Sequence, residues 1–168
     1  MHTQKLTQLA LLTAISLTIF LVELQIPNPM PFPGMKLGLA NIITVYAIYR
    51  YSAKEVALIL LCRIILGGLF SGNIMAIAYS LSGGICCLLG SLLIYRYIPI
   101  KFICITSICG AILHNIGQII IAMLWTKTFG ILAYAPILII SGSVAGLCTG
   151  ICAQILLLRL KNYDVIKI

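Results

Sequence analysis

The sequence predicts an all-α integral membrane protein whose six helices form one transmembrane domain over residues 1–168. Hydrophobic residues make up 62% of the chain and charged residues 8%, and the mean hydropathy is +1.17. A soluble domain of this length would need a polar surface to cover its core, and three acidic and eleven basic residues cannot supply one. Apolar blocks separated by short breaks approach the roughly 20 residues that a helix needs to cross the hydrocarbon.

The predicted helices follow these apolar blocks in chain order. The first block continues to about Leu24 with no convincing cleavage site before Pro27, which indicates a retained helix rather than a signal peptide. Four prolines between Ile26 and Gly34 prevent the helix from continuing, and shorter polar turns separate the later blocks. We expect helices over about residues 5–25, 35–50, 54–71, 73–96, 101–126 and 131–159.

The basic residues predict the orientation of the bundle. With the N-terminus inside the cell, eight Lys or Arg side chains would lie in the cytoplasm, and only Lys36 and Lys127 would lie outside. This positive-inside bias predicts cytoplasmic termini and an outward-facing proline-rich loop. The basic residues occur singly or in pairs, without the interleaved aromatics of a nucleic-acid-binding surface. The expected partner is therefore the lipid bilayer and not a nucleic acid.

The sequence lacks the motifs of a metal site, a nucleotide site and a prenyl-diphosphate synthase, and only His114 leaves open an acid–base role. The seven cysteines form no CxxC pair and fall in apolar segments, so we expect neither a metal site nor a disulfide framework. No glycine-rich lysine loop is present to bind ATP phosphates. The acids Glu23, Glu55 and Asp164 are scattered, whereas a prenyl-diphosphate synthase needs clustered aspartates to hold Mg²⁺. We expect a protein with no cofactor and no catalytic activity of its own.

Arg63 is the most unusual polar residue within the predicted spans. It lies about eight residues, or roughly 12 Å of helix, from the outer turn, which places it close to mid-span. One interpretation is a residue that binds a ligand or lines its pathway, because charged groups at membrane depth are costly. The other is a structural contact to helix-end carbonyls or to an acid, and only Glu23 is placed to be that acid.

Polar side chains of the fourth and fifth predicted helices lie at a similar depth. The fourth carries Tyr79 and Ser82 just before the pair Gly83 and Gly84. The fifth carries three residues whose spacing places them on one face: His114, Asn115 and Gln118. These side chains either line a wet cavity or only hydrogen-bond neighbouring helices. The glycine pair either exposes backbone groups in such a cavity or permits close helix packing.

Lys36 and Asn41 complete a set of polar residues on the outer side of the predicted bundle. Lys36 stands at the outer entrance of the second helix, and Asn41 lies about a turn and a half further in. The inner half is almost wholly apolar, so the set predicts a pocket that is open to the outside and closed toward the cytoplasm. The candidate substrate-binding residues are Lys36, Asn41, Arg63, Tyr79, Ser82, His114, Asn115 and Gln118.

Small residues spaced four apart mark two further faces. The stretch "ALLTA" places Ala10 and Ala14 on the first helix. The stretch "GSVAGLCTG" places three glycines on the last helix: Gly142, Gly146 and Gly150. Such spacings let two helices approach closely, and the partner could be another helix of the same chain.

Four motifs in order, "PGMKLGLANI", "RIILGGLFSG", "YSLSGG" and "GAILHNIGQ", resemble a bacterial family called Gx transporter. Members of that family also carry the name heptaprenyl diphosphate synthase component I. The resemblance covers roughly residues 5–155. The family is similar to the substrate-binding S components of energy-coupling factor (ECF) transporters. These are six-helix proteins of the bacterial cytoplasmic membrane, with cytoplasmic termini and an outward-facing site.

This resemblance implies roles for two further groups of residues. Ala10 and Ala14 match the AxxxA pattern with which S components contact a transmembrane T subunit. The loop after the first helix would gate the site, through Pro27, Pro29, Pro31, Pro33 and Gly34. Transport would then require separate T and ATPase subunits as partners.

The function predicted from the sequence is a substrate-binding membrane subunit for uptake of a small solute. Lys36, Arg63 and His114 favour an anionic, vitamin-like or quinone- or isoprenoid-related molecule, which the other polar residues would orient. Three alternatives stay open. They are a subunit of an isoprenoid-assembling enzyme, a scaffold that assembles membrane proteins without binding a ligand, and a standalone carrier. Coupling of such a carrier to protons or sodium ions is less expected, because acidic residues are lacking within the membrane.

Overall fold

The computed structural model describes residues 3–25, 38–72 and 74–160 of the chain. Within these residues it contains six α-helices, two short 3-10 helices and no β-strand. The α-helices are α1 (Thr3–Gln25), α2 (Asn41–Ile48), α3 (Ala53–Ser71), α4 (Ile74–Ile94), α5 (Ile103–Thr126) and α6 (Ala135–Leu160). The 3-10 helices Ile100–Phe102 and Phe129–Tyr134 precede α5 and α6. The prediction of an all-helical chain is confirmed.

Two predicted helices begin later than expected because 3-10 turns replace their first residues. The last helix starts at Ala135 rather than near residue 131, since Phe129–Tyr134 is a 3-10 helix. Pro136 is then the second residue of α6, where its missing N–H is tolerated. The fifth helix likewise follows a 3-10 turn that begins after Pro99.

α2 is a short helix enclosed by the rest of the bundle. It packs against α1, α3, α4, α5 and α6, and seven of its eight residues are buried. The helix predicted over residues 35–50 is therefore too long, although residues 35–37 lie outside the described residues. Gly38 precedes α2 with a φ of +74°, a left-handed conformation that glycine adopts and that cannot continue a helix.

Four segments within the described residues are long and apolar enough to cross a bilayer: Thr3–Gln25, Ile74–Ile94, Ile100–Thr126 and Phe129–Leu160. α3 has 19 residues but carries three charges, on Lys54, Glu55 and Arg63. The eight residues of α2 rise only about 12 Å, against a hydrocarbon thickness of about 30 Å. Four spans fit a membrane protein, and crossing by all six helices stays a prediction.

Contacts between helix ends bring cationic residues together at one end of the bundle. Nζ of Lys5 lies 2.6 Å from Oε1 of Glu55, which joins the start of α1 to the start of α3. Nε2 of Gln154 in α6 donates to the carbonyl oxygen of Lys101 before α5, at 3.2 Å. The rings of Tyr49 and Tyr95 meet edge-on after α2 and α4, with centroids 5.9 Å apart. We call this the basic end, and it carries Lys5, Arg50, Lys54, Arg96, Lys101 and Arg159.

Glycines let α5 pack closely against both α4 and α6. A Cβ added to Gly146 would lie 2.7 Å from Cα of Ile108, and one added to Gly117 would lie 2.7 Å from the carbonyl oxygen of Ser82. A side chain at either position would therefore force the helices apart. The glycine series of α6 packs against α5 of the same chain, at Gly142, Gly146 and Gly150. The sequence alone did not show whether its partner was a helix of this chain or of another protein.

The half of the bundle toward the basic end is more polar than predicted. The hydroxyl oxygens of Tyr49 and Thr106 are 2.8 Å apart, and those of Ser107 and Thr149 are 2.9 Å apart. Thr106, Ser107 and Thr149 are all buried. The prediction of an almost wholly apolar inner half is wrong, because small hydroxyl groups pair between helices and satisfy one another.

The lateral surface of the bundle, around its helices, is aliphatic along its length and aromatic near its two ends. Large exposed aliphatic residues include Leu89, Ile140 and Val144. Tyr97 and Phe102 are exposed at the basic end, and Trp125 and Phe129 at the opposite end. Aromatic residues at both ends of an apolar band are typical of proteins whose helices meet the two membrane–water interfaces.

Candidate binding site around Arg63

Arg63 lies in the middle of α3 and is almost fully enclosed by protein. Only 6% of its surface is exposed. Its Nε has no hydrogen-bond partner among the described residues. Buried N–H groups are normally paired, because an unpaired one loses its interactions with water and gains nothing in return. Arg63 therefore keeps a hydrogen-bond donor that the described protein groups leave unused.

Glu23, near the end of α1, acts on the Arg63 guanidinium electrostatically. Its carboxylate is buried, and Oε1 accepts a hydrogen bond from the backbone N–H of Gly38 at 2.5 Å. Glu23 therefore serves two groups: it partly balances the charge of Arg63 and fixes the backbone just before α2. This geometry gives partial support to the structural interpretation of Arg63 as the partner of Glu23.

One face of α4 connects Arg63 with the polar residues of α5. Tyr79, Gly83 and Cys87 are spaced four apart and so lie on the same face, and the last two are buried. The Cys87 thiol lies near the Arg63 guanidinium. The ring of His114 lies directly against Gly83, where an added Cβ would come within 2.8 Å of Cε1. Since Gly83 and Cys87 are about 6 Å apart along the helix, Arg63 and His114 approach this face about one turn apart in depth.

His114 and Gln118 form a hydrogen-bonded pair along α5. Their Nε2 atoms are 3.2 Å apart, and Gln118 is buried. An amide nitrogen only donates hydrogen bonds, so Nε2 of His114 accepts this one. Arg63 is the permanent cation of this group of side chains.

Asn115 and Ser82 make hydrogen bonds between helices. Nδ2 of Asn115 donates to the carbonyl oxygen of Leu138 in α6, at 2.6 Å. Oγ of Ser82 donates to the carbonyl oxygen of Gly117 in α5, at 2.8 Å. These two contacts fit the interpretation in which polar residues only hydrogen-bond neighbouring helices. A role for Asn115 and Ser82 in ligand binding stays a prediction.

The second helix contributes Asn41 at its first position. Asn41 is buried, and its backbone N–H donates to the carbonyl oxygen of Gly38 at 2.9 Å. Glu23 holds the same glycine, so Asn41 is linked to the Arg63 region through Gly38. Lys36 and the predicted gating residues Pro27, Pro29, Pro31, Pro33 and Gly34 lie outside the described residues.

The structure thus brings together only part of the predicted set. Arg63 lies near Cys87 and the His114 ring lies against Gly83, both on one face of α4, and Gln118 is bonded to His114. Tyr79 shares that face of α4 by its spacing. Arg63 is the buried cation of this group, and its planar guanidinium suits a carboxylate or another small anion. Within the described part of the chain, no three His, Cys, Asp or Glu side chains come close enough to hold a metal ion. The sequence alone did not single out Cys87, which lies near Arg63 and shares a face of α4 with Gly83 through its spacing of four.

A separate strip of small residues is exposed on α1. Ala10 and Ala14 are exposed, as are Thr7 and Thr18 on the same side of the helix. Both threonine hydroxyls donate to carbonyl oxygens within α1, Thr7 to Thr3 at 3.0 Å and Thr18 to Ala14 at 2.9 Å. The α1 strip is therefore flat, and its hydroxyl groups are already satisfied.

A family model described as heptaprenyl diphosphate synthase component I matches residues 12–156 of the chain. The match covers α2, α3, α4 and α5 in full, and most of α1 and α6. The chain therefore belongs to this family. No curated protein and no solved structure matches the chain.

Proposed function

We propose that this member of the heptaprenyl diphosphate synthase component I family is a substrate-binding membrane subunit of the ECF S-component type. It would capture a small anionic solute from outside the cell, of a vitamin-like or a quinone- or isoprenoid-related kind. The solute would bind beside Arg63, beneath the loop that follows α1. Lys36 and Asn41 would contribute at the entrance, and Tyr79, His114 and Gln118 deeper in the bundle.

The observation that carries this proposal is the buried Arg63 with an unused donor at Nε. A charged side chain at membrane depth costs free energy, so its presence favours a role in binding. A carboxylate ligand would accept two hydrogen bonds from the planar guanidinium and complete the balance of charge that Glu23 begins. Apolar walls around the site would bury the body of the ligand.

The α1 strip supports the proposed partners. Ala10 and Ala14 are exposed side by side and would let a helix of a T subunit approach closely. Energy for transport would come from ATPase subunits that bind this T subunit. Replacing Ala10 by Leu should weaken co-purification with the T subunit while solute binding by the isolated chain is retained.

A thermal-shift screen of the full chain in detergent tests the proposal. Vitamins, quinone precursors and prenyl phosphates would be added singly, because a ligand that binds only the folded state raises its melting temperature. We expect at least one anionic compound to give a saturable shift that Arg63→Ala abolishes. Arg96→Ala is the matched control, since Arg96 is exposed at the basic end. A shift that persists in Arg63→Ala would remove Arg63 from the site.

The family name supports a second candidate function. A chain called component I of a heptaprenyl diphosphate synthase would act with other subunits of that enzyme, as a membrane component without catalysis of its own. The exposed α1 strip would then bind a synthase subunit. Prenyl transfer by the purified chain with Mg²⁺ would show instead that the chain is itself catalytic. Co-purification with a prenyl synthase subunit, lost in Ala10→Leu, would favour this second function.

A further inference from the structure

An apolar groove of about 710 Å³ opens on the side of the bundle between α1 and α6. Both helices pack against α2 but hardly contact each other, and α2 is too short to fill the gap along their length. The walls include Leu11, Ile15, Ile42, Tyr46, Ile155 and Leu156. None of the residues around Arg63 lines this lateral groove, so it is a separate site.

The polar and charged groups of the lateral groove are gathered at its basic end. Tyr51 and Gln8 line it there, and the Tyr51 hydroxyl lies 3.4 Å from Oε1 of Gln8. Arg50 precedes the lining residue Tyr51, and Arg159 precedes the lining residue Leu160; both arginines are exposed. Glu55, the acid at this end among the described residues, is already paired with Lys5. The mouth of the groove therefore carries an excess of positive charge.

We propose that the lateral groove binds one anionic phospholipid from the leaflet at the basic end. One acyl chain would lie along the aliphatic walls, and the phosphate would sit between Arg50 and Arg159. The bilayer presents such lipids to a laterally open groove in large excess. The walls offer little polar contact to a water-soluble solute, whereas the arginines complement a phosphate. This inference does not depend on the transport function proposed above.

The size of the groove favours a lipid chain over a helix of another protein. A cavity of this volume falls in the range of about 300–1,000 Å³ that small molecules occupy. An α-helix is at least about 10 Å across, so ten of its residues would need roughly 1,200 Å³. An acyl chain can follow the gap between α1 and α6 without displacing either helix.

Native mass spectrometry of the full chain in mild detergent tests this inference. Equal amounts of phosphatidylglycerol and phosphatidylcholine would be added, and the retained adducts counted. Each basic residue near an anionic headgroup contributes about a five-fold preference, so Arg50→Gln and Arg159→Gln should each reduce phosphatidylglycerol retention by about that factor. Arg96→Gln, an exposed arginine at the same end but away from the groove, should have no such effect.

A second pair of variants tests the position of the acyl chain. Ile15→Trp, or Ile155→Trp should the first not fold, would fill the groove and abolish the bound phosphatidylglycerol. Leu93→Trp places the same ring on an exposed position of α4 toward the basic end and should leave it bound. Gel filtration confirms that each variant is folded.

Three results would overturn the inference. Retention that is equal in Ile15→Trp and wild type would show that the lipid lies elsewhere. Equal retention of the two phospholipids would contradict recognition of the phosphate. Displacement of phosphatidylglycerol by an equimolar prenyl phosphate would show that the occupant is a prenyl chain. Each can occur whether or not Arg63 binds a solute, so failure here and failure of the proposed function are distinguishable.

Discussion

At the scale of single residues, the central question is what stabilises Arg63 in the middle of an apolar helix. Glu23 acts on it electrostatically, yet the carboxylate also accepts the backbone N–H of Gly38. Nε has no hydrogen-bond partner among the described residues. A purely structural arginine would be expected to satisfy its donors with protein groups. The arrangement therefore favours an anionic ligand as the missing partner.

The contact between Gly83 and His114 gives a testable consequence of this geometry. In Gly83→Ala the new methyl group would meet the imidazole ring, within 2.8 Å of Cε1, and would push it away from α4. We expect a destabilisation of about 1–3 kcal/mol, as for other overpacked sites, and a clear loss of ligand affinity. Thermal unfolding and ligand titration of the full chain measure the two effects.

Gly130→Ala is the control for this substitution. Its added Cβ would approach Cγ2 of Thr128 no closer than 3.4 Å, which is ordinary van der Waals contact. It should change neither stability nor affinity by much. Unchanged ligand affinity in Gly83→Ala would mean that the position of His114 does not matter for binding.

At the scale of elements, helix packing depends on glycines that face α5. Gly146→Leu would place a branched side chain where even a Cβ lies 2.7 Å from Cα of Ile108. We expect α5 and α6 to separate, with a loss of at least about 2 kcal/mol and poor yield of folded protein. Val144→Leu, on the exposed side of the same helix, should express and melt like the wild type. Normal stability of Gly146→Leu would contradict the close α5–α6 crossing.

The helices that could be predicted from the sequence are those with long apolar runs. α1, α3, α4 and α5 lie within two residues of their predicted bounds, because polar turns and prolines mark their ends. The length of α2 could not be predicted, because its apolar sequence does not show that Gly38 adopts a left-handed conformation that prevents an earlier start. The start of α6 was predicted four residues too early, because the preceding 3-10 helix has a composition that an α-helix could also have.

The candidate site was predictable in its residue types more than in its contacts. Arg63 stood out because a charge at mid-span is rare. The spacing of His114, Asn115 and Gln118 did not reveal that Asn115 turns to α6 while His114 faces α4. Adjacent helical residues point about 100° apart, so only the positions of the neighbouring helices could separate their roles.

At the scale of the whole molecule, the basic end predicts the orientation in the membrane. Lys5, Arg96 and Arg159 lie at this end, and Lys127 follows α5 at the other. A membrane-impermeant maleimide should label Lys127→Cys in intact cells and Arg96→Cys only after permeabilisation. The wild type, whose cysteines lie in apolar segments, gives the background. Labelling of Arg96→Cys in intact cells would invert the proposed orientation.

The most direct test of the account is the thermal stability of Arg63→Met without any ligand. If Arg63 is held chiefly for an anionic ligand, an apolar side chain of similar length should lower the melting temperature of the ligand-free protein only slightly, because Glu23 keeps its hydrogen bond from Gly38. The same variant should show no ligand-induced shift. If Arg63 is instead held chiefly as the partner of Glu23, its removal would take away the cation that balances this buried carboxylate and cost about 3–5 kcal/mol. A large fall in melting temperature, with Arg96→Met unaffected, would contradict the account.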